Sequence, residues 1–130
     1  MILNLTQHPA TPEQVAQGVV DLPADLRVQL SRLLTVDELP SRGEIEERCD
    51  AIAALVFETE TETDNAPASV MIGGAPWMMV HLVKALRIAG VVQCLAAFSK
   101  RESVERIDPS TGAVTKTAVF RHVGFLECGL

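Results

Sequence analysis

Basic residues are scarce in this chain of 130 residues: 11 Lys and Arg stand against 17 Asp and Glu, giving a formal charge of -6 and a pI near 5.0. A binder of duplex nucleic acid needs a basic face to neutralise phosphates, so that class is set aside, while a small phosphorylated ligand held by one local patch stays compatible. No apolar run reaches membrane-spanning length, and residues 1–9 carry no basic stretch. The expected compartment is cytoplasmic, with no membrane partner. The three cysteines, Cys49, Cys94 and Cys128, are odd in number and far apart, with no CxxC pair; that pattern fits reduced thiols better than a disulfide framework. His8, His81 and His122 are equally scattered, and nothing in the spacing suggests a metal site. GxGxxG and GxxxxGK[ST] are both missing, so neither a dinucleotide nor a P-loop assignment is supported and no cofactor is expected. No Ser-His-Asp or Cys-His order is distinctive enough for an acyl-transfer triad.

What is present is an ordinary globular composition, 48% hydrophobic and 22% charged, in a chain long enough to bury a core as one domain over residues 1–130. The organising stretch is residues 69–90, SVMIGGAPWMMVHLVKALRIAG. It reads as a short buried strand (Val70, Met71, Ile72), a Gly73-Gly74 turn, and a helix opened by Pro76 and closed by Gly90. A strand that feeds a helix through glycines is the front half of a βαβ unit. Ligands of open α/β sheets bind at that carboxyl-terminal junction.

The rest of the chain follows in order. Residues 1–5 read as a first strand. Thr11 and Gln14 have capping-box spacing around Pro12, which predicts a short helix over 12–17 that stops at Gly18. Residues 19–22 are either a short second strand or a linker. Leu22, Leu26, Leu30, Leu33 and Leu34 recur at helical spacing and predict a helix over 23–34. Thr35 and Glu38 suggest another cap before a turn that ends at Pro40. Ser41 and Glu44 suggest a third, opening a helix with Ile45, Cys49, Ile52, Leu55 and Val56 on one face. Residues 59–68, TETETDNAPA, read as an acidic surface loop. Residues 91–99 predict a buried strand parallel to the central one. Residues 100–107 and 113–126 then flank Asp108-Pro109-Ser110-Thr111-Gly112 as a β-hairpin. The fold class is α/β: a Rossmann-like, mostly parallel sheet with flanking helices and a C-terminal antiparallel β-hairpin. A two-stranded ribbon is marginal alone, which points to packing against a second copy and a homodimer.

Candidate site residues cluster at the expected strand ends. Gly73 and Gly74 would let backbone N–H groups and a helix N-terminus approach a phosphate, or would simply make a tight turn. Asn4, Thr6, Gln7 and His8 follow the first strand and would face the same crevice if that strand neighbours the central one. His8 then becomes a candidate proton acceptor; structural hydrogen bonding is the competing reading for Asn4 and Thr6. Ser99, Lys100 and Arg101 mark the end of the next strand, where two cations beside a hydroxyl could clamp a phosphodiester, against the alternative of a solvated charged face. Trp77 could stack on a base, or pack as core. In a cleavage reading His8 or Ser99 stands nearest the attacking hydroxyl, Lys100 stabilises the phosphorane, and loss of Lys100 weakens phosphate binding.

Two resemblances attach to these residues. Asn4-Leu5-Thr6-Gln7-His8-Pro9-Ala10-Thr11-Pro12-Glu13-Gln14 resembles the opening of a group of small phage and prophage proteins of undefined function. The order of strand with polar loop, glycine-turn helix, strand and terminal ribbon resembles single-domain proteins of the CRISPR-associated Rossmann fold. That likeness implies a dimer that binds cyclic oligoadenylate at the strand ends, with metal-independent cleavage in ring nucleases. It would put ligand contacts on Thr6, Gln7, His8, Gly73, Gly74, Ser99 and Lys100. The expectation is therefore a protein that binds, sequesters or cleaves a nucleotide-type phosphorylated signal. Its rival is a protein-protein interaction module that uses residues 100–126 and 59–68. A nucleoside or nucleotide hydrolase is a third reading, and it lacks an evident acidic cluster.

Overall fold

The structure is a computed structural model that describes residues 1–58 and 69–129; the acidic stretch 59–68 lies outside the described residues. In chain order the elements are β1 (Ile2–Asn4), α1 (Pro12–Ala16), β2 (Val19–Asp21), α2 (Ala24–Leu34), α3 (Arg42–Glu58), β3 (Ser69–Met71), α4 (Pro76–Ala89), β4 (Gln93–Ile107) and β5 (Val114–Glu127). They build one five-stranded sheet of order β2-β1-β3-β4-β5. The first four strands run parallel and β5 returns antiparallel to β4. The fold is thus Rossmann-like α/β with a C-terminal hairpin. Residues 19–21 form a strand, at the sheet edge beside β1.

Helix ends follow the local chemistry. Thr11 caps α1 with a reciprocal capping box through Gln14. Pro76 opens α4, and Gly90 closes it at φ 106°, a left-handed conformation that costs any other residue about 1–2 kcal/mol. The Ser41 hydroxyl accepts the Glu44 N–H at 3.2 Å at the start of α3. Thr35 starts no helix: its hydroxyl donates to the Ser31 carbonyl at 2.8 Å and closes the end of α2. Arg48 reinforces that end from α3, its Nη1 lying 3.0–3.1 Å from the carbonyls of Arg32, Leu33 and Thr35, where a cation opposes the negative end of the helix dipole.

The core lies on one face of the sheet. Leu3, Val70 and Cys94 share a register row and pack beneath Leu26 and Leu30 of α2, Ile52 and Val56 of α3, and Leu82 and Leu86 of α4. No residue of α1 is buried. Right-handed crossovers explain the division, because β1 to β2 and β2 to β3 advance in opposite directions and place their helices on opposite faces. α1 instead meets β5: the Gln17 side chain, just past α1, lies 2.9 Å from His122 Nε2 and donates to the Val123 carbonyl at 3.3 Å. His122 also rests against Phe125, ring centroids 4.9 Å apart.

The last parallel strand and the hairpin arm are one element. β3 pairs with β4 only as far as Leu95, while β4 continues to Ile107 against β5, with an irregularity between Phe98 and Ser99. Most side chains beyond it, Phe120 among them, are exposed. The hairpin turn is set by Asp108, whose carboxylate accepts the Ser110 hydroxyl at 2.7 Å and the Ser110 N–H at 2.9 Å; these bonds hold its carboxyl below the ordinary range.

Cys49 is 1% exposed, and its thiol donates to the Met78 carbonyl at 3.7 Å, tying α3 to the first turn of α4. Burial, with Asp50 nearby, pushes this thiol up from 9.0 to about 11. The folded state therefore holds the proton more tightly than the unfolded chain, so this contribution to stability is full below pH 9.0 and is lost as pH rises to about 11. Denaturant unfolding between pH 8 and 11 is expected to show a falling midpoint, less steep in Cys49→Ala; identical slopes in the two proteins would contradict the assignment.

Candidate functional site

The sheet order turns back on itself between β1 and β3, since β2 lies to one side of that pair and β4 to the other. At such a point the loops leaving adjacent strand ends diverge and open a crevice. A crevice of about 550 Å³ lies there, lined by Thr6, Gln7, His8, Thr11 and Gln14 on the β1 side and by Gly73, Gly74 and Ala75 on the β3 side. Met71, Ile72, Met78, Leu34, Ala96 and Ala97 add apolar wall. The two loops are in near contact: a methyl group on Gly73 would stand 3.5 Å from Thr6 Cγ2.

Asn4 shapes the β1 side from below. It is 4% exposed, and its carboxamide is fully engaged. Nδ2 donates to the His8 carbonyl and to Asp21 Oδ1, each at 2.8 Å, while Oδ1 accepts the Thr6 N–H at 2.9 Å and the Thr6 hydroxyl at 2.7 Å. A carboxamide has two donors and two acceptor positions, so no group is left over for a ligand. Asp21 Oδ1 also accepts the Ala10 N–H at 3.0 Å. The segment from Thr6 to Ala10 is thereby pinned to the ends of β1 and β2. From the other side Gln7 Nε2 donates to the Thr35 hydroxyl at 3.1 Å, linking the loop to the end of α2.

On the β3 side the backbone is open. Among the described residues the N–H groups of Gly73, Gly74 and Ala75 have no acceptor, and α4, which follows, has no side-chain cap. The crevice therefore presents neutral donors, at the positive end of a 14-residue helix. No Lys or Arg lines it.

Of the residues singled out by sequence, Thr6, Gln7, His8, Gly73 and Gly74 come together in this crevice, and Asn4 lies beneath it as a positioning residue. Ser99, Lys100 and Arg101 do not line it. They stand on the exposed hairpin arm, with Ser99 opposite His122, Lys100 opposite Arg121 and Arg101 opposite Phe120. Trp77, 46% exposed on the first turn of α4, lies outside the lining as well. The trio His8, Ser99 and Lys100 is thus not assembled around the crevice of one chain. Sequence reasoning missed Asp21, whose role depends on the Asn4–Asp21 register of β1 with β2, and Thr11 and Gln14, whose capping-box spacing reads as purely helical. No cluster of three or more His, Cys, Asp or Glu side chains suited to a metal ion gathers among the described residues.

Asn4→Ala is expected to lower stability by about 2–4 kcal/mol, because Thr6, the His8 carbonyl and the Asp21 carboxylate lose their shared partner at once. Thr6→Val, which removes one of the four bonds, should cost about 1 kcal/mol. Urea unfolding of the two variants checks the order, and equal losses would show that the network does not act as a unit.

Comparison with curated proteins and with solved structures gives no match to this chain. A family match covers nearly the whole of it, from the first strand through β5, and on that match over residues 1–126 the chain belongs to the Uncharacterized protein MJ1673 family.

Proposed function

We propose that this protein binds a small phosphorylated ligand of the nucleotide type in the crevice between the ends of β1 and β3. The observation that carries the reading is the coincidence, at the reversal of strand order, of three unpaired backbone amides with a pinned loop of neutral hydrogen-bonding side chains. Preformed amides can donate to a phosphate oxygen without rearrangement. Thr6, Thr11, Gln7, Gln14 and His8 offer further polar partners for a sugar or base edge. The resemblance to the CRISPR-associated Rossmann fold makes a cyclic oligonucleotide the first ligand to try. The proposal is for binding or sequestration: Lys100 and Ser99 stand on the hairpin arm, so cleavage by the trio would need a second chain to bring them to the crevice.

That second chain is the favoured partner of the arm. Past the irregularity β4 and β5 form a two-stranded ribbon with Phe120 74% exposed and Ile107 70% exposed. Such ribbons gain stability by packing. The competing interaction module would use this same surface, so the two readings separate on whether the crevice takes a ligand.

Thermal-shift titration with mononucleotides, dinucleotides and cyclic oligonucleotides, with and without EDTA, tests the binding reading. A true ligand stabilises by about 2.7 kcal/mol at a hundredfold excess over Kd. The shift is expected to survive EDTA, to be lost in Gly73→Val, which crowds Thr6, and to persist in Lys100→Ala. Silence across the panel, or a shift that Gly73→Val leaves intact, would count against the crevice. Light scattering is expected to give twice the 14.0 kDa chain mass and to fall to the single-chain value in Phe120→Glu; a monomeric parent protein would remove the ribbon dimer.

A further inference from the structure

Behind the Gly73–Gly74 turn lies a second cavity of about 430 Å³. It shares Ile72, Gly73, Gly74 and Ala96 with the crevice. Its remaining wall is Pro76, Met79, Val80 and Val83 from α4 with Cys128 and Gly129 from the tail after β5. That set includes no side-chain amide, alcohol, carboxylate or cation. Burying the edge of a nucleobase there would leave its polar atoms unpaired, at a cost that an aliphatic or aryl group does not incur.

The tail makes this wall a built one. The Cys128 N–H donates to the Cys94 carbonyl at 2.7 Å, Arg87 Nη2 approaches the Cys128 carbonyl at 3.5 Å and Glu127 at 3.8 Å, and Gly129 packs so closely on α4 that a methyl group there would come within 2.7 Å of Val83 Cγ1. Met79 lines this second cavity beside the turn, and its Cε would lie 3.2 Å from a methyl on Gly74. An unbranched thioether with three rotatable bonds can yield at such a position where a branched side chain would not.

We propose that the ligand of the crevice carries an alkyl or aryl substituent next to its phosphate, and that this substituent occupies the chamber formed by α4 and the tail. The inference rests on the phosphate-binding reading and adds the chemical class of the group joined to the phosphate. The lining residues common to both cavities bring them to the same glycine turn, and the proposed bipartite site joins them, with backbone donors on the crevice side of the turn and hydrocarbon on the α4 side.

The test is a series of n-alkyl phosphates, methyl to octyl, titrated against the full chain with thermal shift and Trp77 fluorescence as readouts. Trp77 is the single tryptophan and follows Pro76 of the chamber wall. Affinity is expected to rise about fourfold per methylene until the chamber is filled. Val80 lines the chamber yet is 71% exposed, so Val80→Asp should fold; it is expected to abolish the chain-length dependence, while Val80→Leu retains it. Equal affinity along the series, or a dependence that survives Val80→Asp, overturns the proposal and leaves the phosphate reading standing. Matched n-alkyl alcohols that bind as tightly as the phosphates overturn the phosphate reading, and with it the linkage inferred here.

Discussion

A carboxamide withdrawn from water at the end of a strand must find four hydrogen bonds or destabilise the chain by several kcal/mol. Asn4 is the buried polar side chain among the described residues, and it finds all four within a short stretch of sequence plus Asp21. The consequence reaches past stability. Satisfying Asn4 forces residues 6 to 10 to fold back over the ends of β1 and β2, which sets the wall of the crevice and turns Thr6 toward Gly73. The opposite wall needs no such device, because a strand that ends in two glycines and a proline-led helix leaves its amides open by default. One side is thus held by side chains and the other by backbone.

Local chemistry made much of this legible. Pro76 and Gly90 fix the ends of α4 by backbone geometry alone, and Thr11 with Gln14 fixes the start of α1, so these boundaries are readable without tertiary information. The strand at residues 19–21 stayed ambiguous because a three-residue edge strand has too few positions to show a period. Its pairing with β1 decides the matter, and that pairing also reveals Asp21 as the partner of Asn4.

Lys100 and Ser99 show where sequence patterning misleads. Polarity changes at that point, and a change from apolar to polar reads as the end of a strand. The end that matters for a site is where the neighbouring strand stops pairing, and β3 leaves β4 at Leu95. Ala96 and Ala97 line the crevice there, while Ser99 and Lys100 already belong to a ribbon paired only with β5. Contacts that close at long range, such as Arg48 on the end of α2 or the tail at Cys128 and Gly129 against α4, leave no local signature at all.

Chemical division of the crevice follows from the same arrangement. The β1 loop and the start of α1 line one cavity with the side chains of Thr6, Gln7, His8, Thr11 and Gln14, and α4 lines the other with Pro76, Met79, Val80 and Val83. The central claim is that the Gly73–Ala75 backbone receives the anionic part of a ligand. Backbone amide chemical shifts measured by NMR, as a nucleotide or alkyl phosphate is titrated in, test it most directly. The account predicts the largest saturable shifts at Gly73, Gly74 and Ala75, followed by Thr6 and His8. Shifts centred on the hairpin arm at Lys100 and Arg101, with the glycine turn unmoved, would contradict it.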